Sequence, residues 1–316
     1  AGQPTAYAAR RANPYPAPSP LANATMPPRL LFGLSLGLLL APFASVQAQE
    51  PVPKEYRVLL VGNSLTYTNN LPALLRAVGA SQGTPITTET YAAPGGTLSE
   101  RWRDGKAAEA LRTRNFDVVV LQEIGGQVGC LASASRTRTA PCAATMQAHE
   151  AFAALARERG AKTLLFTTWS HDERMQGRIN GGMRKLAKEN DATVFNAAGA
   201  IASLHKAQPD STPYPDGTHP STQASLMMAV ALYRDITGNA PAPKALRMNA
   251  PLLPVNAAVS AATPLETQSA LAGDNKVTVV PVALIEPLVK ALPDPKDEAK
   301  DVEGRDTVQE PGRRGR

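Results

Sequence analysis

A chain of 316 residues with 43% hydrophobic content can hold one large domain or two small ones, and has ample apolar material for a buried core. Its formal charge of +6 is half supplied by Arg10, Arg11 and Arg29, in an N-terminal stretch without acids, and the arginines 313, 314 and 316 trail an acid-rich segment. No basic stripe remains, which argues against nucleic acid as a partner.

Residues 1–25 are rich in Ala and Pro and read as an extension translated upstream of the true start at Met26. Residues 26–48 have the build of a signal peptide: Arg29, an apolar run from Leu30 to Phe43, then small residues up to Ala48. The run is short for a membrane span. Cleavage near Ala48 is expected, with a retained anchor as the alternative; a periplasmic or secreted protein follows, with no stable membrane span once the signal is removed.

From Tyr56 to Val61 a buried strand is expected, stopping at Gly62. Leu71 to Ala80 has helical spacing, and Pro72 is tolerated in a first turn. A second strand runs from Pro85 to Tyr91, followed by Pro94-Gly-Gly-Thr97 and a helix to about Arg112. The third, Phe116 to Gln122, carries a Val run that indicates a strand covered on both faces. A helix from Thr145 to Arg159, a strand from Lys162 to Thr168, a helix from Gln176 to Glu189 and a short strand from Thr193 to Asn196 come next. One more short helix, a Pro-rich loop from Pro209 to Pro220 and a final helix from Ser221 to Thr237 complete a domain over residues 52–240. Such alternation predicts a parallel sheet with helices on both faces, whose ligands lie beyond the carboxyl ends of the strands.

Cys130 and Cys142, the only cysteines, lie twelve positions apart in what reads as one loop, and suit a disulfide in an exported protein. No His or Cys cluster has metal-ligand spacing and no phosphate-binding glycine loop occurs, so neither metal nor cofactor is expected. His149 and His205 fall in helices and are expected at the surface. Residues 241–316 form a Pro/Ala-rich, then charged, extension expected to be largely disordered, with Lys276 to Lys290 apolar enough for a strand or short helix.

Gly62-Asn-Ser64-Leu follows the first strand directly, placing the Ser64 hydroxyl on a turn at the carboxyl edge. Asp216-Gly-Thr-His219 precedes the last helix, so a base and a carboxylate to orient it arrive on one loop. Each piece alone is common as a turn or helix cap. Together, at opposite ends of one α/β domain, they point to a Ser-His-Asp triad. Asn69 and Asn70 are expected to cap the helix that follows.

Gly62-Asn-Ser-Leu65 resembles block I of the SGNH (GDSL-like) hydrolases, and Asp216-Gly-Thr-His219-Pro resembles their last block. The resemblance spans about residues 55–238. It implies a flavodoxin-like three-layer α/β/α sandwich on a parallel five-stranded sheet, no cofactor, and ester hydrolysis through an acyl-enzyme. It also implies an oxyanion hole made by the Ser64 N–H, a glycine N–H at Gly96, with Gly95 as the alternative, and a block III side-chain amide. The family's block III Gly-x-Asn-Asp is missing. Leu121-Gln122 stands in its place, similar to a divergent subgroup with Leu-Gln there, and makes Gln122 the expected third donor. Trp169 and His171 are placed on the same rim, as pocket residues or as a solvated loop. The expected substrate is a small-molecule or glycan ester, acetyl foremost. Lipid or aryl ester hydrolysis, acyl transfer to a sugar, and a non-catalytic glycan-binding role remain the alternatives.

Overall fold

In a computed structural model of the protein, the described residues are 54–294, except 134, 136, 274 and 275. The stretches expected as an upstream extension and a signal peptide, and the tail beyond residue 294, lie outside them. Strands β1 (Tyr56–Gly62), β2 (Ile86–Ala92), β3 (Val118–Gln122), β4 (Lys162–Phe166) and β5 (Thr193–Phe195) form one sheet in the order β2-β1-β3-β4-β5. All its neighbours pair in parallel. This is the flavodoxin-like order, and the three-layer sandwich is the one that the SGNH resemblance implies.

The two faces are written in the strands with a period of two. Val58, Leu60, Val118, Val120, Leu164 and Phe166 point into one core, which is closed by α2 (Leu71–Gln82), α8 (Ala197–Ala207) and α9 (Thr222–Thr237). Leu59, Val61, Val119, Leu121 and Leu165 point into the other. That side is covered by α3 (Leu98–Asp104), α4 (Lys106–Thr113), α5 (Gly125–Gly129), α6 (Ala140–Glu158) and α7 (Glu173–Asn190). Both faces being buried explains why β1 and β3 read as unbroken apolar runs.

Helix starts follow local chemistry. The Asn70 side chain accepts from Ala73 N at the head of α2, Asp172 from Met175 N at α7, and Ser221 from Ala224 N at α9. Thr97 and Glu100 form a reciprocal capping box at α3. The single helix expected up to Arg112 is two, because Gly105 adopts a left-handed conformation (φ 74°) between α3 and α4.

Three expectations change. His149 is fully buried in α6 with Nδ1 against Thr145 O at 2.8 Å, and burial lowers its pKa to about 4. The cysteines do not share a loop: Cys130 sits in a turn after α5 and Cys142 in the first turn of α6, and they are joined as a disulfide with Cα atoms 6.1 Å apart. Residues 241–294 are not largely without order. They supply β6 (Leu246–Met248) and, on the stretch from Lys276 to Lys290 expected as a strand or short helix, β7 (Thr278–Val280), antiparallel to β6, and α10 (Val282–Ala291), whose Ile285 and Leu288 are buried against the α8–α9 side. Between β6 and β7 the chain crosses to the β2 edge, burying Leu253, Val259 and Leu265 against Tyr67 and Ala92.

Glu266 covers that edge. Its carboxylate accepts from Thr90 N at 2.9 Å, from Thr88 Oγ1 at 2.7 Å and from Thr90 Oγ1 at 2.8 Å. An edge strand is protected by such contacts from pairing with another chain. Glu266→Ala should lower stability by about 2 kcal/mol, the cost of leaving these donors unpaired, and urea denaturation would measure it.

Candidate active site

At the carboxyl edge of β1 the chain turns through Gly62 and Asn63 into a short helix, α1 (Ser64–Tyr67), which starts on Ser64. Gly62 is required by space: a Cβ there would lie 2.3 Å from Thr66 Oγ1 and 2.6 Å from Gln122 Oε1. The close approach lets β3 hold the turn. Asn63 N donates to Gln122 Oε1 at 2.9 Å and Thr66 Oγ1 donates to the same oxygen at 3.0 Å.

His219 Nε2 lies 2.8 Å from Ser64 Oγ, and His219 Nδ1 lies 2.7 Å from Asp216 Oδ2. The other Asp216 oxygen accepts from the backbone N–H groups of Thr218 and His219, at 2.9 and 2.7 Å. These backbone bonds, with the His219 side chain, hold the Asp216 pKa down at about 2. An ionised carboxylate only accepts, so Nδ1 carries the imidazole proton and Nε2 is left as an acceptor for the Ser64 proton. The Asp216 side chain is 49% exposed and that of His219 18%, so the two backbone bonds, and not burial, fix the carboxylate.

The loops are tied to one another. Asn63 Nδ2 donates to Gly96 O at 3.0 Å, joining the turns after β1 and β2. Leu98 N donates to Glu123 Oε2 at 3.1 Å, joining β2's loop to the end of β3. Asn69 does not cap α2. In a left-handed conformation (φ 55°) it reaches across, and its Nδ2 donates to Pro220 O at 2.8 Å, next to His219. The C-terminal segment adds a strap that the sequence reading missed: Asn69 N donates to Leu253 O, Asn70 Nδ2 to Pro251 O and Tyr67 Oη to Val255 O, all within 2.8–2.9 Å. The pairing of two asparagines with a later Pro-rich stretch carries no local signal from which to find it.

Two expected oxyanion donors are committed elsewhere. Gln122 is fully buried, and its Nε2 donates to Glu123 O at 2.9 Å. It is a core amide that grips the Ser64 turn through its oxygen. The Gly96 N–H closes a turn onto Ala93 O at 3.1 Å. Gly95, at the tip of that turn with φ 63°, lines the cavity beside Ser64 instead. Among the described residues the N–H groups of Ser64 and Gly95 make no hydrogen bond. The cavity holds about 620 Å³, with Leu65, Ile124, Met175, Ile179 and Val255 among its apolar walls. Trp169 and His171 both line it, as the rim position after β4 predicts. Trp169 Nε1 donates to Thr218 O at 2.8 Å and His171 Nε2 lies 2.8 Å from Gly217 O, so both are fastened to the Asp216–His219 loop. Among the described residues there is no group of His, Cys, Asp or Glu arranged to hold a metal, and no helix long and apolar enough to cross a membrane.

Among solved structures, the chain is similar to a DUF4886 family protein from Bacteroides uniformis, at 14% identity and a TM-score of 0.48, over 59% of this chain and 85% of that one. It is similar to the acetylxylan esterase Axe2 from Geobacillus stearothermophilus at 15% identity and a TM-score of 0.43, over 59% and 96%. The same holds for TesA, at 18% identity and a TM-score of 0.45, over 58% and 98%. No protein-family model matches the chain, and no curated protein does.

Glu123 makes the stability of the fold pH-sensitive. It is fully buried, and burial raises its pKa to about 7 even though Leu98 N and Ile124 N both donate to it. Between about 4.5 and 7 the folded protein keeps a proton that the unfolded chain releases. The fold then binds more protons, so this group's contribution to stability is full below about 4.5 and is lost as pH rises through about 7. The unfolding free energy of the wild type, from urea denaturation, should fall across that window by at most about 1.4 kcal/mol per pH unit. Glu123→Gln should start lower, because an NH₂ then faces a backbone donor, and should show a flatter pH profile.

Proposed function

We propose that this protein is an exported serine ester hydrolase of the SGNH type, which removes short acyl groups, acetyl foremost, from a carbohydrate or another small alcohol. The observation that carries the reading is the line from Ser64 Oγ through His219 to Asp216, with hydrogen bonds of 2.8 and 2.7 Å. In the mechanism it supports, Ser64 Oγ attacks the ester carbonyl carbon as its proton passes to His219 Nε2. The oxyanion that forms faces the N–H groups of Ser64 and Gly95. Collapse breaks the bond to the alcohol, which leaves with the proton from His219. Water then attacks the acyl-enzyme, with His219 again as base, and releases the acid. Export is supported by the signal-like residues 26–48 and by the Cys130–Cys142 disulfide, a bond that persists in oxidising compartments.

A second reading, hydrolysis of longer acyl or aryl esters on the same triad, is favoured by the size and the apolar walls of the cavity beside Ser64. A chain-length series separates the two. Protein beginning at Gln49 should hydrolyse p-nitrophenyl acetate faster than the butyrate and octanoate, and a rate that rises with chain length would favour the second reading. Ser64→Ala should abolish turnover, and Asp216→Asn should lower kcat by roughly 10⁴, since an amide turned to His219 selects the wrong tautomer. No turnover, together with no fluorophosphonate labelling of Ser64, would overturn both readings.

A further inference from the structure

Behind Trp169 lies a second cavity of about 570 Å³, which shares Trp169, Ser170 and His171 with the one beside Ser64. Its lining differs in kind. The first is walled mainly by aliphatic side chains and glycine backbone, whereas Gln176, Asn180, Asn196 and Tyr214 line the second.

Several of these groups are held in place with hydrogen-bonding capacity to spare. Gln176 is fully engaged: its Oε1 accepts from Ser170 N at 2.7 Å and its Nε2 donates to Thr168 O and to Asn180 Oδ1, at 3.2 and 2.8 Å. Asn180 is therefore fixed through its oxygen. Asn196 is fixed likewise, its Oδ1 accepting from Gly199 N at 3.0 Å to cap α8. Among the described residues, neither amide nitrogen and not the Tyr214 hydroxyl makes a hydrogen bond. Burial pushes the Tyr214 pKa upward, so its hydroxyl stays a neutral donor. Beside these donors the Trp169 and Tyr214 rings stack with centroids 5.0 Å apart and planes 25° from parallel, an aromatic surface that costs no ordering when a ligand arrives. Glu173 and Arg184 bring opposite charges to the same lining, so the cavity has no excess of one sign to select an anion or a cation.

We propose that this second cavity is a polyol subsite that binds the sugar ring of a glycan ester, while the acyl group lies in the aliphatic cavity beside Ser64. A pyranose presents C–H faces to cover aromatic rings and equatorial hydroxyls to accept from fixed amide N–H groups. A fatty acyl chain has neither, and would strand the donors of Asn180, Asn196 and Tyr214 without water. The location of the subsite rests on the ester-hydrolase reading of Ser64, but its chemistry rests on the cavity itself.

Oligosaccharide binding tests the subsite without turnover. The protein has two tryptophans, and Trp102 packs edge-on against Phe152 on the opposite face of the sheet, so a fluorescence change on titration is assigned to Trp169. Ser64→Ala protein should show saturable changes with xylotetraose, cellotetraose or chitotetraose, and none with glycerol at equal concentration. Binding should weaken about three- to tenfold in Asn180→Ala and in Tyr214→Phe, the loss of one neutral hydrogen bond each. Should Asn180→Ala fail to fold, Tyr214→Phe, which removes a single oxygen, still decides. No saturable change with any of the three sugars, or unchanged affinity in the variants, would overturn the proposal. Sugar binding without ester turnover by the wild type would keep the subsite and remove the esterase reading; turnover without sugar binding would do the reverse.

Discussion

One buried oxygen, Gln122 Oε1, holds the centre of this molecule. It lies at the end of β3, the strand beside β1, and takes the donors of both Asn63 and Thr66. The chain leaves β1 for β2 on one side and returns to β3 on the other, so the crevice at which ligands bind in open α/β sheets opens at this point. Gly62 lets the turn close to within reach of Gln122, and Ser64 begins its helix from there. Replacing that amide by an apolar side chain would strand two donors in a place with no water, which is why a polar residue at this core position is not an anomaly.

What was legible in the sequence was what local chemistry decides. The alternation of Leu59 and Leu60 between faces, the caps at Asn70, Asp172 and Ser221, and the Asp216–His219 spacing each depend on a few neighbouring residues. The errors fall where direction depends on a distant partner. An amide has a donor end and an acceptor end, and nothing local to Gln122 says that it turns the second, not the first, to the Ser64 turn. Gly96 and Gly95 are adjacent and identical in type, and only the closure of the turn onto Ala93 O decides which N–H remains free. Helical position alone puts His149 at the surface, although α6 is wide enough in its apolar face to bury it.

The strap formed by Pro251, Leu253 and Val255 is illegible in the sequence for another reason. Its hold on the Ser64 turn is made by its backbone carbonyls, those of Pro251, Leu253 and Val255, which accept from donors on the loop after Ser64. Carbonyl groups are present at every residue, so a strap of this kind has no compositional signature. Its counterpart was visible but ambiguous: two consecutive asparagines, both with positive φ, whose side chains have different targets. Left-handed backbone at non-glycine residues is costly and persists where surrounding contacts impose it. Here those contacts come from the strap on one side and from Pro220 on the other, so the segment is a structural part of the Ser64 turn.

The same logic explains how an exposed carboxylate can serve an ordered site. Asp216 is not held by exclusion of water; it is held by two backbone N–H groups of its own loop, and that loop is held by others. Trp169 and His171 grip it through the carbonyls of Thr218 and Gly217, and Asn69 grips it through Pro220 O. Tyr214, which stacks on Trp169, is part of the same turn, its carbonyl accepting from Gly217 N at 3.0 Å. The aromatic wall between the two cavities and the loop that carries His219 are therefore one hydrogen-bonded unit.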